Sequence, residues 1–365
     1  MRSRDLVGAI AAHGLIGSRH ELPDEPPSDE EFDFLLRQLE SQRLIGLAAS
    51  ASSVGRLALT DGQRERLLAA HTDAMCTCLH LEASLLDVKA AFDEVGIATR
   101  VLKGPSSAHL DYADPSLRAF GDLDLLVRSQ DVDQARAVLE RLGFARSAPE
   151  FRPGFDRRFG KGATLIAVDG TNVDLHRTFV MGPLGLRVGL DELWADGEAF
   201  TIGGAAVHAL APLHRLLAAC YNAIAGDRSP RLSTLRDIAQ LILSGDVDAD
   251  LAVDTAGRWG AEHVLALGVE AAWARLQIAD VVGLSAWASR YETDDVDRRL
   301  LRLYHDDGAG YSGLSWATAR MLPVGQRVAF LSALAFPKGG RLGELGWGVG
   351  QRVRRAVRGY SRASM

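Results

Sequence analysis

Apolar and polar positions change period twice along the chain. The first 95 residues carry helical spacing. Met1 to Gly17 is interrupted by Asp5 and His13 and has no clean small-residue cleavage site, so it predicts an N-terminal helix rather than a secretory leader. Glu21 to Asp33 is acidic, contains Pro23, Pro26 and Pro27, and reads as a connector. Ser28-x-x-Glu31 has capping-box form and opens a helix through about Ser41. Thr60-x-x-Gln63 has the same form. It opens a long helix carrying Leu67, Leu68, Met75, Leu79, Leu85, Leu86 and Phe92, mostly at helical spacing, which Gly96 ends.

From Ile97 the period shortens. Ile97 to Leu102 is a β-rich run, followed by the turn Lys103-Gly104-Pro105-Ser106-Ser107 and a short helix to about Tyr112. Asp122 to Val127 predicts a strand, and Ser129 to Leu142 an amphipathic helix stopped by Gly143. Thr164 to Val168 and Asn172 to His176 predict two strands joined at Asp169-Gly170, a hairpin signal. Phe200 to Leu210 reads as one further strand. Beyond Pro212 the helical period returns over Leu213 to Ala223, Leu232 to Leu243, Ala261 to Leu276 and Val324 to Ala335. The expected class is α+β. A helical domain (1–95) and a second one (211–337) flank a β-rich block (96–210), and a tail (338–365) follows.

The candidate chemistry lies in the β-rich block. In Asp122-Leu123-Asp124-Leu125-Leu126-Val127 the two carboxylates share one strand face, with Cα atoms ~6.6 Å apart at ~3.3 Å per residue. Leu123, Leu125 and Val127 point the other way, into a core. Like charges on a mostly buried strand repel, and a divalent cation is the usual compensation. In Asn172-Val173-Asp174-Leu175-His176, Asp174 and His176 share the polar side of an otherwise apolar strand. Lys103-Gly104 with Ser106 and Ser107 forms a strand-to-helix turn where backbone can approach a phosphate. Three carboxylates on adjacent strands and such a turn predict a two-metal phosphoryl-transfer site, with the ions about 3.5–4 Å apart. Arg118 precedes the acids and is either a phosphate contact or a structural clamp. Asp237 and Arg236 read as ion-pairing residues of a helix, and Asp111 and Asp114 as turn and cap residues.

Charge changes the picture in one respect. The formal net charge is −6, but residues 338–365 carry +6, which leaves −12 on the remainder. An acidic body argues against general nucleic-acid binding. The basic tail is compatible with packing on the body, with a partner, or with a membrane surface. Three cysteines, Cys76, Cys78 and Cys220, make no disulfide framework and suit a reducing cytoplasm. No run of 18 apolar residues predicts a spanning helix.

The ordered set Leu102-Lys103-Gly104, Leu110-Asp111-Tyr112, Leu117-Arg118, Asp122-Leu123-Asp124-Leu125-Leu126-Val127 and Val173-Asp174-Leu175-His176 resembles a bacterial nucleotidyltransferase-like family of the DNA polymerase β-like superfamily. The resemblance runs over roughly Ile97 to Leu210 and more weakly to Leu243. It implies a minimal nucleotidyltransferase core, an NTP such as ATP, and Mg²⁺, with Mn²⁺ as the alternative. It implies metal-ligand roles for Asp122, Asp124 and Asp174. It implies a phosphate contact at the Gly104 turn, with Ser106 and Ser107 as its hydroxyls. Read from the residues alone, Lys103 either pairs with the triphosphate or bridges to an acid, and Arg118 joins it as a candidate nucleotide contact. On the same reading His176 is either a catalytic proton shuttle or acceptor contact, or a satisfied buried histidine. In the broader superfamily the glycine is followed directly by Ser or Gly, whereas Pro105 intervenes here.

The expected function is transfer of a nucleoside monophosphate from an NTP to a hydroxyl, phosphate or amine, with release of pyrophosphate. Two alternatives stay open. An Asp-x-Asp glycosyltransferase would also hold metal and nucleotide, but no β-α-β series precedes the motif. A non-catalytic module of the toxin–antitoxin kind would bind nucleotide or a partner without turnover.

Overall fold

The computed structural model describes residues 3–226, 229–279, 281–305 and 310–337. The tail at 338–365, with the roles weighed for it, lies outside the described residues.

Both capping boxes form. Ser28 Oγ accepts the Glu31 N–H and the Glu31 carboxylate accepts the Ser28 N–H, starting helix α2 (Asp29–Gln42). Thr60 and Gln63 do the same for α4 (Asp61–Glu94). Helices α1 (Ser3–Ala11) and α3 (Ile45–Ser53) complete the N-terminal segment.

The β-rich block folds into one seven-stranded mixed sheet, and the class is α+β. Its strands are β1 (Thr99–Val101), β2 (Leu123–Val127), β3 (Ala145–Arg146), β4 (Gly162–Ile166), β5 (Asn172–His176), β6 (Gly197–Ile202) and β7 (Ala205–Leu210). They are ordered β3-β4-β5-β2-β1-β7-β6. Strands β2 and β5 run parallel at the centre, and β1 pairs antiparallel to β2. The connections carry short helices α5 (Pro105–Leu110), α6 (Val132–Arg141), α7 (Phe155–Arg158), α8 (Gly182–Arg187) and α9 (Glu192–Ala195).

Two expectations are corrected. Phe200 to Leu210 is not one strand: Gly203 and Gly204, both at positive φ, turn the chain between β6 and β7, which pair antiparallel. The strand anticipated at Thr164 to Val168 starts and ends two residues earlier. Ile166 pairs with Asn172, and Ala167 to Thr171 form the turn, closed by the Gly170 N–H on the Ala167 carbonyl.

The two sheet faces differ as strand alternation requires. Leu123, Leu125, Val127, Val173 and Leu175 pack under α4 and α6, against Leu81, Leu85, Val88, Phe92, Val138 and Leu139. The opposite face carries Asp124, Asp174 and His176. It looks toward helices α10 (Pro212–Tyr221) and α11 (Leu232–Leu243). Those pack with α12 (Ala249–Arg258), α13 (Glu262–Leu276) and α14 (Gly283–Ala288), and α15 (Asp295–His305), α16 (Gly310–Met321) and α17 (Val324–Ala335) follow.

The largest core joins α1 to α3 with α10 to α14. Arg236 on α11 ties the two segments, donating to the carbonyls of Ala11 and His13 at 2.7 Å each.

Candidate active site

The parallel register of β2 and β5 decides the geometry. Asp124 lies directly opposite Asp174, and Leu126 opposite His176. His176 Nε2 therefore reaches Asp124 Oδ1 at 2.9 Å. Lys103, just beyond β1, places its Nζ 3.2 Å from Asp124 Oδ2. Thr164 on β4 pairs with Asp174 and donates its hydroxyl to that carboxylate. Asp124 is 1% exposed. Burial alone would raise its carboxyl, but the His176 hydrogen bond and the nearby charge of Lys103 outweigh burial and hold it well below the usual carboxylate range.

One oxygen from each of Asp124 and Asp174 and one nitrogen of His176 lie within 4.8 Å of one another, a group able to hold a metal ion. The local chemistry fits one. Asp124 Oδ2 is buried and has no hydrogen bond of good geometry, its charged neighbour being the Lys103 ammonium at 3.2 Å. His176 Nδ1 faces the Thr178 carbonyl at 3.3 Å, which orients the ring and leaves Nε2 toward the carboxylates. A ligating imidazole is ordinarily held by such a contact through its other nitrogen. Two carboxylates and one imidazole suit a divalent cation.

Asp122 lines the same cavity but stands just before β2. It pairs at 3.0 Å with Arg43, whose left-handed backbone caps the end of α2. It is not among the three groups that converge. Gly104 adopts φ +69°, and a Cβ there would come 3.3 Å from Phe120. Ser107 lines the cavity, whereas Ser106 is fully buried with its hydroxyl unpartnered. Arg118 is 4% exposed and forks onto Asp237 of α11, with Nε to Oδ1 at 2.9 Å and Nη2 to Oδ2 at 2.7 Å. The Tyr112 hydroxyl also donates to Asp237, at 2.8 Å. Asp237 thus joins the sheet block to the helical segment, while Arg236 serves the α1 contact. Asp114 caps a short turn through the Ser116 N–H. Asp111 does more than end α5, because it pairs with the buried Arg215 at 2.8 Å.

Lys103, Ser107, Arg118, Asp122, Asp124, Asp174, His176 and Asp237 line a cavity of about 700 Å³ between the polar sheet face and α10 and α11. Its far wall holds Arg146, Phe151, Phe155 and Lys161. Sequence reasoning passed over Arg43, Thr164, Lys161 and Arg215. Thr164 carried a readable signal, since it opens the hairpin arm opposite Asp174. The other three are isolated cations in no motif, brought in by long-range packing.

The sequence profile of a family described as uncharacterised nucleotidyltransferase matches residues 28–277. The chain belongs to that family. The match extends beyond the sheet block to the N-terminal helices from α2 and to α10 through α13. A solved structure titled an antigenic nucleotidyltransferase-like protein from Paracoccidioides brasiliensis is similar at 17% identity and a TM-score of 0.34, covering 54% of this chain and 92% of that one. No curated protein matches. Among the described residues no helix is long and apolar enough to cross a membrane.

Proposed function

We propose that this member of the family is a metal-dependent nucleotidyltransferase that moves a nucleoside monophosphate from an NTP to a nucleophilic acceptor. The observation that carries the reading is the convergence of Asp124, Asp174 and His176 on adjacent parallel strands at the floor of a cavity. Those residues would hold a divalent cation, Mg²⁺ or Mn²⁺. When bound, it would neutralise charge on the transferring phosphoryl group. Lys103 pairs with phosphate oxygens. The Gly104 turn admits the chain of phosphates past its backbone, and the Ser107 hydroxyl donates to it. Asp174, less buried than Asp124, takes the acceptor proton as the new oxygen–phosphorus or nitrogen–phosphorus bond forms. The bond from the α-phosphorus to the bridging oxygen breaks, and pyrophosphate leaves with that electron pair. Asp122, held by Arg43, contributes negative charge at the cavity rim. Arg118, saturated by Asp237, fixes the helical wall over the sheet.

A binding module without turnover is favoured by one observation: Asp122, Asp124 and Asp174 each have a protein partner already. The deciding experiment incubates the protein with each α-labelled NTP, Mg²⁺ or Mn²⁺, and a cell extract, beside an Asp124→Asn/Asp174→Asn control. Labelled product and pyrophosphate that vanish in the control support transfer. Metal-dependent NTP binding without product supports the binding module.

A further inference from the structure

The proposed transfer needs an acceptor, and the wall of the cavity away from Lys103 bears on its chemistry. Strand order sets the two sides. Lys103 and Gly104 follow β1; then come β2 with Asp124, β5 with Asp174 and His176, β4, and β3. Lys161 immediately precedes β4, whose Gly162 lies opposite His176. The acids therefore stand between Lys103 on one side and Lys161 on the other.

The backbone at Lys161 is fixed. Its carbonyl accepts the Arg177 N–H at 2.8 Å, and the Gly160 carbonyl accepts Arg177 Nε at 2.8 Å. A Cβ on Gly162 would lie 1.7 Å from the Leu175 carbonyl oxygen, so the strands close tightly there. The Lys161 ammonium, by contrast, is uncommitted. Among the described residues six lysines and arginines line the cavity, and Lys103, Arg118, Arg146 and Arg215 each have a carboxylate. Lys161 and Arg231 have none among the described residues, and of these two only Lys161 belongs to the strand layer beside the acids. It forms no ion pair with Asp124, on which it acts only at longer range and less than Lys103 and His176 do. The partly exposed ring of Phe151, backed at 4.9 Å by the buried Phe155, lines the same cavity.

We propose, resting on the nucleotidyl-transfer reading, that Lys161 reads a negative charge on the acceptor, which is a small molecule bearing a phosphate monoester or a carboxylate, with its apolar part on Phe151. The cation lies across the acids from Lys103, where an acceptor approaching Asp174 would enter. A lysine left without a carboxylate in a partly desolvated wall gains most from an anion supplied by a ligand.

The test saturates the protein with a nonhydrolysable NTP analogue and Mg²⁺, then titrates three probes by calorimetry: phenyl phosphate, benzoate and benzyl alcohol. At least one anion is expected to bind tenfold or more tightly than benzyl alcohol, and the stronger anion names the group. In Lys161→Met that advantage should fall below threefold while the analogue still binds within threefold of wild type; Lys161→Arg should keep the advantage, which separates charge reading from a folding defect. Absence of an anion preference in the wild type overturns the proposal, as does a preference that survives in Lys161→Met. Loss of analogue binding in Lys161→Met also overturns it, because the lysine would then belong to the nucleotide subsite. A wild-type protein that binds none of the four NTP analogues with either metal sinks the transferase reading itself, and the acceptor assignment with it.

Discussion

Replacing Asp237 with alanine strands the Arg118 guanidinium in the interior. The wild-type pair is 5% and 7% exposed at the side chains, with three hydrogen bonds from Arg118 to Asp237 and a fourth from Tyr112. Deleting one partner of such a pair leaves an uncompensated buried charge, at a cost of about 3–5 kcal/mol. Unfolding entropy for a chain of 365 residues is about 0.8 kcal/mol per kelvin, so the melting temperature should drop by about 4–6 °C if the chain unfolds as one unit. Urea denaturation, followed by far-UV circular dichroism and by the fluorescence of the six tryptophans, buried Trp259 among them, measures the loss directly. The companion variant Arg118→Met/Asp237→Leu removes both charges and keeps the volume, and should recover most of the loss, to within about 1–2 kcal/mol of wild type. The reasoning is refuted if Asp237→Ala costs less than about 1 kcal/mol, or if its cost is the same whether or not Arg118 is present.

Three further outcomes are expected. Asp124→Asn and Asp174→Asn should abolish divalent-metal binding in calorimetry, whereas Asp122→Asn, outside the convergent group, should weaken it by no more than about tenfold; equal loss at Asp122 would mean that it ligates directly. Burial pushes the Asp111 carboxyl up to about 6 despite its bonds from Arg215. The folded state therefore holds this proton more tightly than the unfolded state. Relative to Asp111→Asn, wild type should lose up to about 3 kcal/mol of stability as pH rises from about 4 to about 6, and a flat difference across denaturation curves in that window contradicts this. Gly162→Ala should cost about 3 kcal/mol or more, because the added methyl meets backbone rather than a movable side chain; hydrogen exchange should show the loss concentrated in β4 and β5.

Local features of the fold were readable because their causes are local. Capping boxes start α2 and α4 where Ser28 and Thr60 stand three residues before Glu31 and Gln63. The alternation in Leu123 to Val127 and in Asn172 to His176 placed the acids on one side of each strand and the aliphatics on the other. Pairing across the sheet was not readable in this way. That His176 meets Asp124 depends on the parallel register of two strands 52 residues apart, and that Arg118 meets Asp237 depends on packing across 119 residues. Asp122 looked equivalent to Asp124 because alternation treats them alike; the strand begins one residue after it, and Arg43 captures it from another element. The Gly203-Gly204 turn hid inside an apolar run whose alternation continues on both sides of it.

The bond from Arg236 to the Ala11 carbonyl spans 225 residues of chain. At translation rates of roughly 5–20 residues per second, α1 waits on the order of 10–45 s after leaving the ribosome before α11 exists to cover it. Through that interval the apolar faces of α1 to α3 have none of their C-terminal partners, while the sheet between them is already complete in sequence. The helical body is therefore closed last, by the segments that also roof the cavity. Assembly of the cavity and completion of the core become the same late event, and a nascent chain stalled before α11 holds its acids on an open sheet.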